Sequence, residues 1–166
     1  MTYLPPSNGI SQIHLVAEGD ARLEEIRKLF IEYVEWLGED LSFQGFDEEL
    51  ASLPGLYAAP HGALFLSLRG KESAGCVAVR PIDHDVCEMK RLWVRPRFRG
   101  QSLGLRLASA AIDAAHRLGY ATMRLDTLDR MHDALRLYRS LGFHYIPPYY
   151  DNPLPGAVYL QKSLVQ

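Results

Sequence analysis

At 166 residues the chain is long enough for one domain with a sizeable core, and a poor fit for two very small ones. Its composition is 48% hydrophobic and 23% charged with a formal net charge of −2, which argues against a general nucleic-acid binder. No stretch is long and apolar enough for a membrane span, and Met1 to Gly9 lacks the basic-then-apolar pattern of a secretory signal, so a cytoplasmic location is the default expectation.

Ile10 to Ala17 alternates loosely and reads as a strand. Gly19-Asp20 then opens a helix with Leu23, Ile26, Phe30 and Val34 on one apolar face, closed by Gly38. A short helix is expected near Asp47 to Leu53. Three strand-like runs follow, Ala63 to Leu68, Ala74 to Arg80 and Val86 to Val94, spaced too closely for intervening helices and so read as an antiparallel meander. Gln101 to Leu118 returns to helical spacing, ended by Gly119; Ala121 to Thr127 is a strand, and Arg130 to Leu141 a helix ended by Gly142. Phe143 to Tyr149 and Val158 to Leu160 are the last strand candidates, split by a Pro/Gly-rich loop. The order predicts a single domain over 1–166 with a mixed α/β sheet and helices on both faces. Cys76 and Cys87 each lie in an apolar strand and read as buried thiols rather than a disulfide or a nucleophile.

The run Val94 to Leu107 joins a strand end, a basic turn and the start of a helix, which gathers backbone N–H groups and a positive helix terminus in one place. Its spacing fails the nucleoside-triphosphate loop, because Gly104 precedes Leu105 and Arg106 rather than Lys and Ser/Thr. It also lacks the third glycine of a dinucleotide fingerprint. Arg95, Arg97 and Arg99 crowd a helix start with no carboxylate nearby in sequence, an arrangement that fits an incoming anion. The six histidines show no metal-ligand spacing, and no metal site is expected.

Arg99-Gly100-Gln101-Ser102-Leu103-Gly104 resembles the cofactor turn of the GCN5-related N-acetyltransferase family, with Ser102 where a middle glycine is common. Ala134 to Phe143 resembles the family's segment in which a tyrosine precedes Gly-Phe, here Tyr138 before Gly142-Phe143. The resemblance spans Ile10 to Leu164 in element order and is specific from Glu88 to Phe143. It implies the acyl-CoA N-acyltransferase (GNAT) fold, a mostly antiparallel twisted sheet of about seven strands flanked by helices. It also implies acetyl-CoA as cofactor and coenzyme A as product. Leu92, Trp93 and Val94 would face the pantetheine arm; Arg97, Arg99, Gly100, Gln101, Ser102, Leu103 and Gly104 would surround the pyrophosphate, and Tyr138 would reach the sulfur. An asparagine common early in the last helix falls at Met131, so that contact is missing or replaced.

By the same resemblance Tyr138 is the acid that protonates the leaving thiolate and Glu88 the base, acting directly or through water. Their other readings are a packed aromatic and a carboxylate paired with Lys90 or Arg91. Strand parity puts Glu88 with Lys90, Leu92 and Val94, opposite Cys87, Met89, Arg91 and Trp93, unless a bulge intervenes. Trp36, Phe43, Phe46, Tyr149 and Tyr150 are candidates to line an acceptor cleft, with Asp40, Glu48 and Asp151 to attract an ammonium. The expected acceptor is a small amine or amino-acid-like molecule, with no nucleic-acid or membrane partner; a homodimer stays open. The rivals are a non-catalytic acyl-CoA sensor, a protein or peptide N-acetyltransferase, and a structural oligomer using its arginine turn on an acidic partner.

Overall fold

The computed structural model describes residues 9–165. Seven strands form one sheet: β1 (Gln12–Leu15), β2 (Ala63–Arg69), β3 (Glu72–Pro81), β4 (Val86–Val94), β5 (Thr122–Leu128), β6 (His144–Ile146) and β7 (Ala157–Ser163). Their spatial order is β1-β2-β3-β4-β5-β7-β6. Every neighbouring pair is antiparallel except β4 and β5. That parallel step requires a crossover, which α3 (Leu103–Arg117) supplies.

The helices cover both faces and divide the interior into two cores. On one side α3 buries Leu107, Ala108, Ala111 and Ala115 against Val77, Val79, Cys87 and Met89. On the other, α1 (Leu23–Leu37) buries Ile26, Leu29 and Phe30 against Leu64, Leu66, Cys76 and Trp93, with α2 (Phe46–Ser52) contributing Phe46. The alanine-rich face lets α3 lie close to the sheet. Gly75 is needed there: a Cβ on it would stand 2.6 Å from the Trp93 carbonyl oxygen and 3.0 Å from Leu107 Cδ1. Cys76 and Cys87 are buried free thiols.

The element boundaries differ from the sequence reading where side chains claim backbone groups. The first helix starts at Leu23 rather than at Gly19-Asp20. The Asp20 carboxylate accepts the Arg22 backbone N–H at 2.9 Å and pairs with the Arg22 guanidinium at 2.8 Å, so Gly19 to Arg22 form a turn. The last strand is longer than expected, Ala157–Ser163, because it pairs with β5 over seven rungs. Its other neighbour, β6, is correspondingly short.

Two irregularities in β4 shape the site. Arg91 has φ +59°, and the β3–β4 register slips between Cys76 and Ala78. This is the bulge that simple alternation leaves open. Cys87 and Met89 face the α3 core before it, Leu92 and Val94 face that core after it, and Trp93 turns to the α1 core. Second, β4 and β5 share only the rungs Val86↔Thr122, Cys87↔Met123 and Glu88↔Arg124. Beyond them β4 runs on to Val94 and β5 to Leu128 unpaired with each other, leaving a V-shaped gap edged by free backbone groups.

Candidate active site

The wide end of the gap opens into a cleft of about 720 Å³ between the β4 end, the basic turn and α4 (His132–Ser140). At its floor α3 begins at Ser102, which takes φ +58° and ψ +19° and forms no side-chain cap bond. The first hydrogen bond that closes the helix joins the Arg106 N–H to the Ser102 carbonyl, so the N–H groups of Leu103, Gly104 and Leu105 have no partner within the helix. No acidic side chain occupies that first turn. A helix start without a cap or a counter-charge fits the phosphate end of an acyl-CoA.

Arg99 borders the cleft with its guanidinium carbon 5.2 Å from the Trp36 ring centroid and 5.0 Å from that of Trp93, while its Nε donates to the Val94 carbonyl at 3.1 Å. Two aromatic faces hold the cation at the mouth, each contact contributing about 0.5–1 kcal/mol at an exposed site. Trp36 itself packs on Trp93 with ring centroids 5.2 Å apart and planes tilted by 50°.

The narrow end of the gap holds a second cavity of about 60 Å³, room for only a few water-sized groups. The two cavities share Tyr33, Leu92, Thr127 and Tyr138, so they meet where β4 and β5 part. Tyr138 is 8% exposed, packs edge-on against Phe143 at 5.8 Å, and its hydroxyl has no hydrogen-bond partner among the described residues. Burial raises the pKa of Tyr138 well above the usual tyrosine value, which keeps it a proton donor. Burial also raises that of Tyr33.

Two charged side chains, from neighbouring strands, are among the residues that line the small cavity. Asp126 on β5 accepts hydrogen bonds at Oδ2 from the Tyr150 hydroxyl and from Asn152 Nδ2 (2.8 Å), while its Oδ1 has no partner among the described residues. Lys90 on β4 has its side chain 4% exposed and donates to Gln44 Oε1 at 3.2 Å. Burial lowers the pKa of Lys90; Arg91 and Arg80 push the same way, and Glu88 opposes them. Arg91 also lines this cavity, but Glu49 on α2 grips its Nε and Nη2 at 2.9 and 3.1 Å.

Leu92, Trp93, Val94, Arg99, Gly100, Ser102, Leu103, Gly104 and Tyr138 all line the large cleft, as the sequence reading places them. Arg97 and Gln101 do not. Arg97 pairs with Glu72 at 3.1 Å and lies over Phe98, and Gln101 accepts from Arg69 at 2.9 Å. The idea of three arginines without carboxylates also needs correction, since Arg95 pairs with Glu32 at 2.7 Å. Arg99 is the one of the three with no carboxylate partner among the described residues.

Glu88 is 1% exposed and lines neither cavity. Its Oε1 is held by Arg80 Nε (2.9 Å) and Nη2 (2.8 Å), with Lys90 Nζ at 3.7 Å, and its Oε2 accepts the Tyr149 hydroxyl. Both of its carboxylate oxygens are therefore engaged by protein side chains. Of the expected acceptor residues, Trp36 belongs to the large cleft, and Phe46 is buried beneath Arg91. Asp40 spends an oxygen on the Ser42 N–H at 2.9 Å; Phe43 and Glu48 line none of these spaces. Tyr149, Tyr150 and Asp151 border an outer pocket that shares Asn152 and Leu154 with the small cavity. Lys90, Asp126, Gln44 and Asn152 were missed, because single polar residues inside strands and loops carry no spacing signal. Met131 lines the large cleft at the position where the family favours asparagine. Among the described residues no group of His, Cys, Asp and Glu could hold a metal ion, and no helix is long and apolar enough to cross a membrane.

A splayed β4–β5 pair over an uncapped helix start defines an acyl-CoA-type transferase fold. Residues 24–143 match the Acetyltransferase (GNAT) family, and the chain belongs to it. It is 43% identical over 164 residues to an uncharacterized N-acetyltransferase of Schizosaccharomyces pombe, covering 97% of this chain and 98% of that one. It is 32% identical to another uncharacterized N-acetyltransferase, from Dictyostelium discoideum, covering 89% of this chain and 96% of the relative. A GNAT family acetyltransferase from Elizabethkingia anophelis, solved with acetyl-CoA bound, superposes with a TM-score of 0.64 at 22% identity, over 92% of this chain and 97% of that one. At that identity the likeness speaks for the fold.

Proposed function

We propose that the protein is an acetyl-CoA-dependent N-acetyltransferase that moves an acetyl group to the primary amine of a small acceptor, by direct attack in a ternary complex. The observation that carries this reading is the meeting of two cavities at Leu92, Thr127 and Tyr138. One has the uncapped helix start and Arg99; the other has a carboxylate oxygen without a protein partner.

Acetyl-CoA, when bound, supplies an acetyl group activated as a thioester. The N–H groups at the start of α3 and the Arg99 guanidinium hold its phosphates, and the unpaired β4 edge at Leu92 to Val94 takes the pantetheine arm. Tyr138, kept protonated by burial, gives its hydroxyl proton to the departing thiolate. Asp126 Oδ1 receives the acceptor's amine after its ammonium form has lost one proton to solvent. The lone pair forms the C–N bond as the C–S bond breaks, and the amine's surplus proton passes to Asp126 and then to solvent, from which Tyr138 is reprotonated. Glu88 is a positioning residue in this reading: it holds the Tyr149 hydroxyl and the Arg80 guanidinium beside the acceptor cavity. The small cavity favours a small acceptor over a protein lysine that would need an open groove.

The test is release of free thiol from acetyl-CoA with and without an added amine, read together with product mass. Amine-dependent release with an N-acetylated product supports the reading. Tight acetyl-CoA binding without amine-dependent release would instead mark an acyl-CoA-binding module.

A further inference from the structure

Lys90 is the group in the small cavity that amine acetylation leaves unexplained. An ammonium has three donors, and here one hydrogen bond, to Gln44 Oε1, is made. The nearest carboxylate oxygen, Glu88 Oε1 at 3.7 Å, is already held by two nitrogens of Arg80. The side chain is 4% exposed, so the partners it lacks come from what occupies the small cavity. Across the same cavity Asp126 has an oxygen free of protein donors, yet no ion pair joins it to Lys90 within 4.0 Å. Arg91 is not a competing cation, since Glu49 already engages it through two nitrogens.

A cation and an anion that face one small space without closing on each other are complementary to a zwitterion. A simple amine would satisfy Asp126 and bring Lys90 no new acceptor; a diamine would add a second cation against it. We propose that the acceptor is an α-amino acid, its amine held by Asp126 and its carboxylate by Lys90. The acceptor's side chain then leaves the small cavity past Asn152 and Leu154, which also border the outer pocket beside Tyr149 and Tyr150. Gln44 orients the ammonium and, through its Nε2, donates to the Tyr150 hydroxyl at 3.2 Å, tying the Lys90 and Asp126 walls together. Lys90 touches substrate in this scheme and is a specificity-determining residue.

This proposal rests on the N-acetyltransferase reading, and the experiment separates the two. Leucine, methionine and phenylalanine are each assayed beside the amine left when their carboxylate is removed: isoamylamine, 3-(methylthio)propylamine and phenethylamine. The wild-type protein is expected to acetylate at least one amino acid with a kcat/KM about 30-fold above its partner amine, the selectivity typical of a charge-assisted hydrogen bond in a dry site. Lys90→Met is expected to erase that preference through KM for the amino acid. The loss should be larger for the amino acid than for its partner amine, and Lys90→Arg should restore part of the preference. Equal or better use of the partner amines by wild-type protein overturns the proposal while leaving the transferase reading intact, and that comparison needs no variant. An equal loss for both members of a pair in a folded Lys90→Met protein overturns it too. If wild-type protein acetylates no amine of either kind, both readings fall.

Discussion

Ser102→Gly tests whether the departure from the family's glycine pattern is strained. Ser102 adopts φ +58° and ψ +19°, a left-handed conformation that costs an L-residue about 1–2 kcal/mol. Glycine removes that cost but brings back about 0.5–1 kcal/mol of unfolded-chain entropy. The serine hydroxyl is exposed and makes no cap bond, so nothing else is lost. The difference leaves a gain of about 0–1.5 kcal/mol, centred near 0.75 kcal/mol, or roughly 2–3 °C at that centre in the thermal midpoint of a domain this size. Differential scanning fluorimetry without ligand reads it directly, with Ser102→Ala as the control, because alanine keeps the strain and should not gain. Acetyl-CoA affinity measured on the same proteins then isolates the hydroxyl: a drop shared by both variants assigns it a phosphate contact. A lower midpoint for Ser102→Gly than for wild-type protein would refute the reasoning.

Tyr138→Phe should lower kcat by about 100-fold or more while changing KM for acetyl-CoA less than threefold, since the ring packing against Phe143 survives and the proton does not. Because burial raises Tyr138 above its usual value of 10.0, the protonated form persists to higher pH, and the rate should show no alkaline decline below about pH 10; a falling limb near pH 8 would point to another acid. Asp126→Asn should cut kcat/KM for the acceptor by about 100-fold or more. Glu88→Gln should raise KM for the acceptor more than it lowers kcat, and a loss confined to kcat would return the base role to Glu88. Arg99→Glu should weaken acetyl-CoA binding by at least tenfold in isothermal titration and steepen no other parameter; unchanged affinity would remove Arg99 from the phosphate site.

Most of the architecture is legible from local pattern. The change from strand spacing before Val94 to helical spacing after Gln101 marks the β4–α3 junction, and Tyr138 before Gly142-Phe143 marks the other side of the cleft. What pattern cannot supply is long-range pairing. Arg95 meets Glu32 and Arg97 meets Glu72 only after the sheet has formed, so of a turn that looks uncompensated in sequence one such arginine, Arg99, is left without a carboxylate partner among the described residues. The bulge at Arg91 reverses strand parity between Lys90 and Leu92, and no residue type there announces a positive φ. Trp93 therefore lies on the α1 side and serves as a platform for Arg99. Lys90 and Asp126 carry no spacing signal in sequence, and only the splay of β4 from β5 brings both into the lining of one cavity. Glu88 was found by resemblance, and its place beneath Arg80 and Tyr149 rests on side chains from β3 and the loop before β7.

The most direct test of the central claim follows free thiol and product mass together in one reaction of purified protein, acetyl-CoA and the amine panel. The account predicts thiol release that depends on an added amine and equals, mole for mole, the N-acetylated product formed. Thiol release at the same rate with and without amine, or none in the presence of measured acetyl-CoA binding, would contradict it.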